Sequence, residues 1–104
     1  MLDLSFSCSG KCWLWQSSAN AWHFITLPQD KSEEIKFFNE NLHEKTRGWG
    51  AVRVLVTIGK TSWETSIFPS TQYSAYILPI KAEVRKKEKI AVGDLLNVKL
   101  IINI

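Results

Sequence analysis

The chain has 104 residues, enough to bury one compact core and too few for two domains. An apolar share of 45% excludes a disordered chain, and the excess of 13 basic over 10 acidic residues is too small for a polycationic coat. Two cysteines exclude a disulfide-dense scaffold.

The start, Met1-Leu2-Asp3-Leu4-Ser5, lacks the basic and apolar regions of a secretory leader, and no apolar run is long enough to cross a bilayer. The expectation is a cytoplasmic protein without membrane contact, in which Cys8 and Cys12 stay reduced. Leu2, Leu4, Phe6 and Cys8 alternate with polar residues, the period of a half-buried strand. Ser9-Gly10-Lys11 reads as a hairpin loop, residues 12–15 as a second strand and residues 16–20 as a turn. Residues 22–27 form a third strand that Pro28 ends, because proline cannot donate to a ladder.

Residues 30–45 carry the one long helical pattern, with Ile35, Phe38 and Leu42 on one stripe. Asp30 with Glu33 has the form of a capping box; Lys45, Arg47 and Gly48 suit the helix end. Residues 49–58 return to strand, with Val52, Val54, Val56 and Ile58 facing one way. Gly59-Lys60 marks a tight turn into a strand over 62–68, where Trp63, Thr65 and Ile67 share a face. A loop over 69–72, a strand over 73–80, a short helix over 82–89 and a closing strand from residue 95 complete the chain. The fold class is therefore mainly β, a small split or closed barrel of about six to eight strands with two helices. A two-layer α+β arrangement is the competing reading.

Charge is concentrated rather than spread. Lys81, Arg85, Lys86, Lys87 and Lys89 stand against Glu83 and Glu88, which leaves equal numbers of cations and carboxylates in the rest of the chain. One reading of this helix is a phosphate-tracking patch in which Lys81, Arg85, Lys86 and Lys89 meet nucleic acid. The other is a solvated cap whose Glu83 and Lys87 pair at i, i+4. The small total charge favours the cap.

Two blocks, AWHFITLP at 21–28 and GWGAVRVLVTIGKTSWETSIFPS from Gly48 followed by YILPIKAEVRKKEKIAVGDLLNVKL to Leu100, resemble a family of small bacterial domains of unknown function. Members are sometimes fused to a bacteriocin-protection domain of the YdeI/OmpD-associated type. The resemblance implies a split β-barrel with helical caps. Leu78, Pro79, Lys81, Arg85, Ile90, Gly93 and Asp94 also resemble the AbrB/MazE-like swapped-hairpin pattern, which implies shared architecture without implying DNA binding. The family usually has glycines where this chain reads Gln72-Tyr73-Ser74, so the resemblance implies a differently shaped loop there.

Trp22, Arg53, Trp63 and Tyr76 are the candidate ligand residues: aromatic walls at the barrel mouth would bury a small acidic ligand that Arg53 pairs. Against this stands ordinary barrel filling by aromatics at strand period, with Arg53 solvated. No nucleophile elbow surrounds Ser62, Thr65 or Ser66, and Gly59-Lys60-Thr61 lacks the rest of a phosphate loop. Cys8, Cys12, His23 and His43 do not match a zinc spacing, although the two thiols would be neighbours across a hairpin. His23 and His43 read as structural or surface histidines. The expected function is a non-enzymatic binding or accessory module, without metal or cofactor, for a small ligand or protein partner, as a monomer or homodimer. Nucleic-acid binding is the alternative.

Overall fold

Every strand whose inner face is apolar must find a neighbour on both edges or leave unpaired backbone, and here six antiparallel strands solve this by closing on themselves. The computed structural model describes residues 3–42 and 50–103. In chain order these are β1 (Asp3–Gln16), β2 (Ala21–Thr26), α1 (Gln29–Leu42), β3 (Val52–Ile58), β4 (Thr61–Ser70), β5 (Ala75–Pro79), α2 (Ala82–Glu88) and β6 (Leu95–Asn103). Around the barrel the order is β1, β2, β5, β4, β3, β6, and β6 returns to β1. The expected mainly β barrel with two helices is the observed fold.

The two strands expected over 2–8 and 12–15 are one. β1 pairs with β6 from Asp3↔Asn103 to Lys11↔Leu95, then with β2 from Cys12↔Ile25 to Gln16↔Ala21. Gly10 lies where the strand passes from one partner to the other. A Cβ there would stand 2.5 Å from the Ile25 Cγ2 and 2.9 Å from the Thr26 carbonyl oxygen, so glycine serves as a corner rather than a turn. Cys8 and Cys12 are consequently not hairpin neighbours. They lie four residues apart along one strand, about 13 Å at the usual rise, beyond the reach of a disulfide.

Strand parity then sorts the side chains. Val52, Val54, Val56 and Ile58 of β3 point inward as their alternation requires, and meet Trp63 and Ile67 of β4, Tyr76 and Leu78 of β5, and Val98 and Leu100 of β6. Val56, Ile67, Tyr76, Leu78 and Leu100 have no accessible surface, so the interior is a packed core and not a cup.

The helices are tied to this core by a few specific bonds. α1 begins at Gln29, with the Ser32 N–H donating to the Pro28 carbonyl, so Asp30 is a first-turn acid acting on the helix dipole and not the cap of a capping box. Ile35 is buried as expected; the side chains of Phe38 and Leu42 and the signals at Lys45, Arg47, Gly48 and Trp49 lie outside the described residues. The buried Ser32 hydroxyl accepts the Tyr76 backbone N–H at 3.0 Å and the Tyr76 carbonyl accepts from the Leu27 N–H, which docks α1 onto β5. At the opposite end α2 buries Val84, and the Thr61 hydroxyl donates to Glu88 at 2.6 Å. Gly59, at φ 58°, leaves room beneath that carboxylate that no side chain could share.

Candidate functional site

The Leu-Pro, Arg and Gly-Asp positions of residues 78–94 turn out to close one barrel end. The His23 carbonyl accepts the Ile80 N–H at 2.8 Å, and the Arg85 Nε donates back to the Ile80 carbonyl at 3.3 Å. The Cys12 N–H donates to the Asp94 carbonyl and the Gly93 N–H to the Cys12 carbonyl, which fastens the turn after α2 to β1. The Asp94 carboxylate accepts the Ala91 N–H at 2.8 Å. Arg85 is therefore half-buried and committed inward, whereas Lys81, Lys86 and Lys89 are exposed. Lys81 and Lys87 both lie near Glu83, at 3.8 and 3.9 Å, in exposed pairs of the kind that contribute little. The four cations named for nucleic acid thus split into three solvated lysines and one structural arginine.

Arg85 also reaches His23, with its Nη1 3.5 Å from Nε2. A guanidinium only donates, so Nε2 accepts and the ring proton sits on Nδ1, which is buried without a hydrogen-bond partner among the described residues. Burial pushes the imidazole below its ordinary value of 6.5, and the Arg85 charge pushes it the same way. The folded protein then binds this proton less readily than the unfolded chain does. Stability is complete above the unfolded value and falls as pH drops through it towards the lowered folded one. Urea midpoints measured from pH 8 to pH 5 should decline over the lower half of that range, and His23→Gln should flatten the decline. An unchanged decline in that variant would place the titration on another group. Burial likewise raises both thiols, Cys8 and Cys12, which keeps them protonated and poor nucleophiles.

The ligand quartet read from the sequence does not come together. Trp63 and Tyr76 point into the barrel and are buried, at 8% and 0% exposure. Trp22 and Arg53 stand outside, on strands separated by β5 and β4. Arg53 extends from β3 to Glu64 on β4 at 3.8 Å, with both side chains largely in water. The reason is parity: a strand's even and odd residues face opposite sides of the sheet, and in β2 and β5 both sides are apolar, so the sequence pattern does not say which side is the core.

What the structure does gather is a second aromatic set on the outer face of β1, β2, β5 and β4. Trp13 and Trp15 of β1 stand opposite Phe24 and Trp22 of β2, Phe24 stands opposite Pro79 of β5, and Ile77 stands opposite Phe68 of β4. Trp13 packs on Phe24 at 5.1 Å between ring centroids and on Tyr73 at 5.4 Å, and its Nε1–H donates to the Thr26 hydroxyl at 2.8 Å. Trp22 and Phe24 lie nearly parallel, 12° apart with centroids at 6.3 Å. Ser70, Gln72 and Tyr73 wall the far side, and the groove so formed encloses about 440 Å³. The turn that carries Gln72 and Tyr73 holds Ser74 at φ 51°, a left-handed conformation that favours glycine and that serine adopts here.

Among the described residues, no charged side chain lines this groove. It can stack flat rings and offer a few uncharged hydrogen-bonding groups, but it has nothing with which to neutralise a buried carboxylate. Sequence reasoning named Trp22 but missed Trp13, Trp15, Phe24, Phe68 and Tyr73. The available signal was the pair of i, i+2 aromatic repeats, Trp13/Trp15 and Trp22/Phe24, whose facing strands put four rings on one surface.

No helix among the described residues is long and apolar enough to cross a membrane. A comparison with curated proteins returns no match. The family model for a domain of unknown function, DUF1905, matches residues 9–100, from the middle of β1 to the middle of β6, and the chain belongs to that family.

Proposed function

We propose that the chain is a non-catalytic binding module whose ligand lies in the aromatic groove on the outside of the barrel. The observation that carries this is the exposure of Trp15 (48%), Trp22 (50%), Phe68 (43%) and Tyr73 (44%) around one uncharged groove. Apolar surface left in water forgoes about 25 cal/mol per Å² relative to burial, and a contiguous patch of it on a small domain marks a contact surface. The neutral lining replaces the acidic ligand expected at Arg53 with one that presents a flat ring. The non-catalytic reading is supported by the structural use of the polar side chains: Ser32 docks α1, Glu88 seats α2 on the β3–β4 hairpin, Arg85 closes the barrel end and Asp94 holds its turn.

A thermal-shift screen against nucleotides, short oligosaccharides, metabolites and peptides tests the reading, because a ligand that prefers the folded state raises its stability. A true groove ligand should raise the melting temperature of the wild type, quench its tryptophan fluorescence, and do neither in Trp22→Ala. A ligand that stabilises Trp22→Ala and Phe68→Ala as much as the wild type would move the site away from the groove.

A further inference from the structure

The groove does not end in neutral surface. Pro79 lines it, and two residues later the chain enters the segment 81–89, α2 with Lys81 and Lys89 at its ends, which carries a net charge equal to that of the whole chain, +3. The same junction is fixed from β2: His23, between Trp22 and Phe24, is bonded through its carbonyl to Ile80 and through its ring to Arg85. The end of the groove that holds Trp22 and Pro79 therefore lies at the barrel end that α2 covers, and Lys81, Lys86 and Lys89 of that cap are exposed.

We infer that this surface takes single-stranded nucleic acid, with bases stacking on Trp15, Trp22 and Phe68 while the phosphates run to Lys81, Lys86 and Lys89. The inference rests on the groove being the binding surface. The charge arrangement favours this occupant over a peptide or a second copy of the chain: rings without charge beside cations without rings match a polymer whose π faces and charges lie on opposite edges. Duplex bases are closed off by their own stacking, so a single strand is required. With Ser70, Gln72, Tyr73 and the indole N–H groups supplying the hydrogen-bonding side chains among the described residues of the groove, the binding should be tolerant of sequence. Arg85, tied to Ile80 and His23, holds the cap in place and is a positioning residue here.

Fluorescence anisotropy of labelled 12-mers of dT and of U, at salt from 25 to 200 mM, provides the test. Three phosphate contacts give a slope of about −2 in log K against log salt, a loss of roughly sixty-fold across that range. Trp22→Ala should weaken binding roughly tenfold at every salt concentration and leave the slope unchanged. Lys86→Glu with Lys89→Glu should weaken it and flatten the slope. Thermal unfolding confirms that these surface variants fold, and Phe68→Ala is a second groove variant. If oligonucleotides do not bind at 25 mM salt while a neutral oligosaccharide or proline-rich peptide quenches the tryptophans, this inference is wrong and the groove reading stands. Binding that Trp22→Ala and Phe68→Ala leave intact overturns the inference, because the strand then lies elsewhere. Silence from every probe overturns both.

Discussion

Tyr76→Ala is expected to abolish the fold, or to leave it barely stable, under conditions where Trp22→Ala melts close to the wild type. Tyr76 has no accessible surface, its backbone N–H is taken by Ser32 and its carbonyl by the Leu27 N–H, and its ring fills the interior between β2 and β4. Truncating a buried aromatic to alanine costs about 3–5 kcal/mol, while a domain of this size has about 5–15 kcal/mol in total. Trp22 is half in water, so its removal leaves no buried cavity of that kind. Urea denaturation of the two variants beside the wild type separates the roles. If Tyr76→Ala were to keep the wild-type midpoint, Tyr76 would be lining an open pocket after all.

Gly10→Val should be the most damaging single change on β1, with a loss of about 3 kcal/mol, at the upper end of what overpacking usually costs. The new Cβ would meet the Ile25 methyl and, more seriously, the Thr26 carbonyl, which is backbone and cannot move aside without shifting β2. Ile25 and Thr26 are in register with Leu78 and Ile77, so a displaced β2 disturbs its pairing with β5 as well. Alanine at the same position introduces the same Cβ and should show most of the effect, which distinguishes a backbone clash from side-chain crowding. A Gly10→Ala protein as stable as the wild type would show that β1 can turn its corner without this approach to β2.

The parts of the fold that could be read from the sequence are those where one face is apolar and the other is not. β3 is the clearest: four aliphatics alternate with Arg53, Leu55 and Thr57, and its inward face and its hairpin to β4 are found where expected, although the strand begins at Val52 and not at residue 49. The barrel with two helices, and the position of α2, were legible for the same reason. Gly10 was misread because a glycine flanked by serine and lysine looks like a turn when the only information is local. Its purpose is a contact with Ile25 and Thr26, which arrive from another strand. The candidate site failed on a different point. Trp22 and Tyr76 belong to strands with apolar residues on both sides, and hydrophobicity alone cannot assign their faces. Only the pairing register, Trp15↔Trp22 and Phe24↔Pro79, shows which aromatics are neighbours, and register is a long-range property.

The meeting of β1 with β6 also constrains how the molecule forms in time. Asp3 pairs with Asn103, so the seam of the barrel joins segments at the two ends of the described chain. As the polypeptide leaves the ribosome, β1 through β5 have no partner for the first half of β1 or for the outer edge of β3 until β6 has been made. Contacts of such sequence separation are slow to find each other, and the open edges they leave meanwhile can recruit other chains. Closure, and with it the rigid wall that displays the tryptophans, is therefore an all-or-nothing event that follows synthesis of residues 95–103.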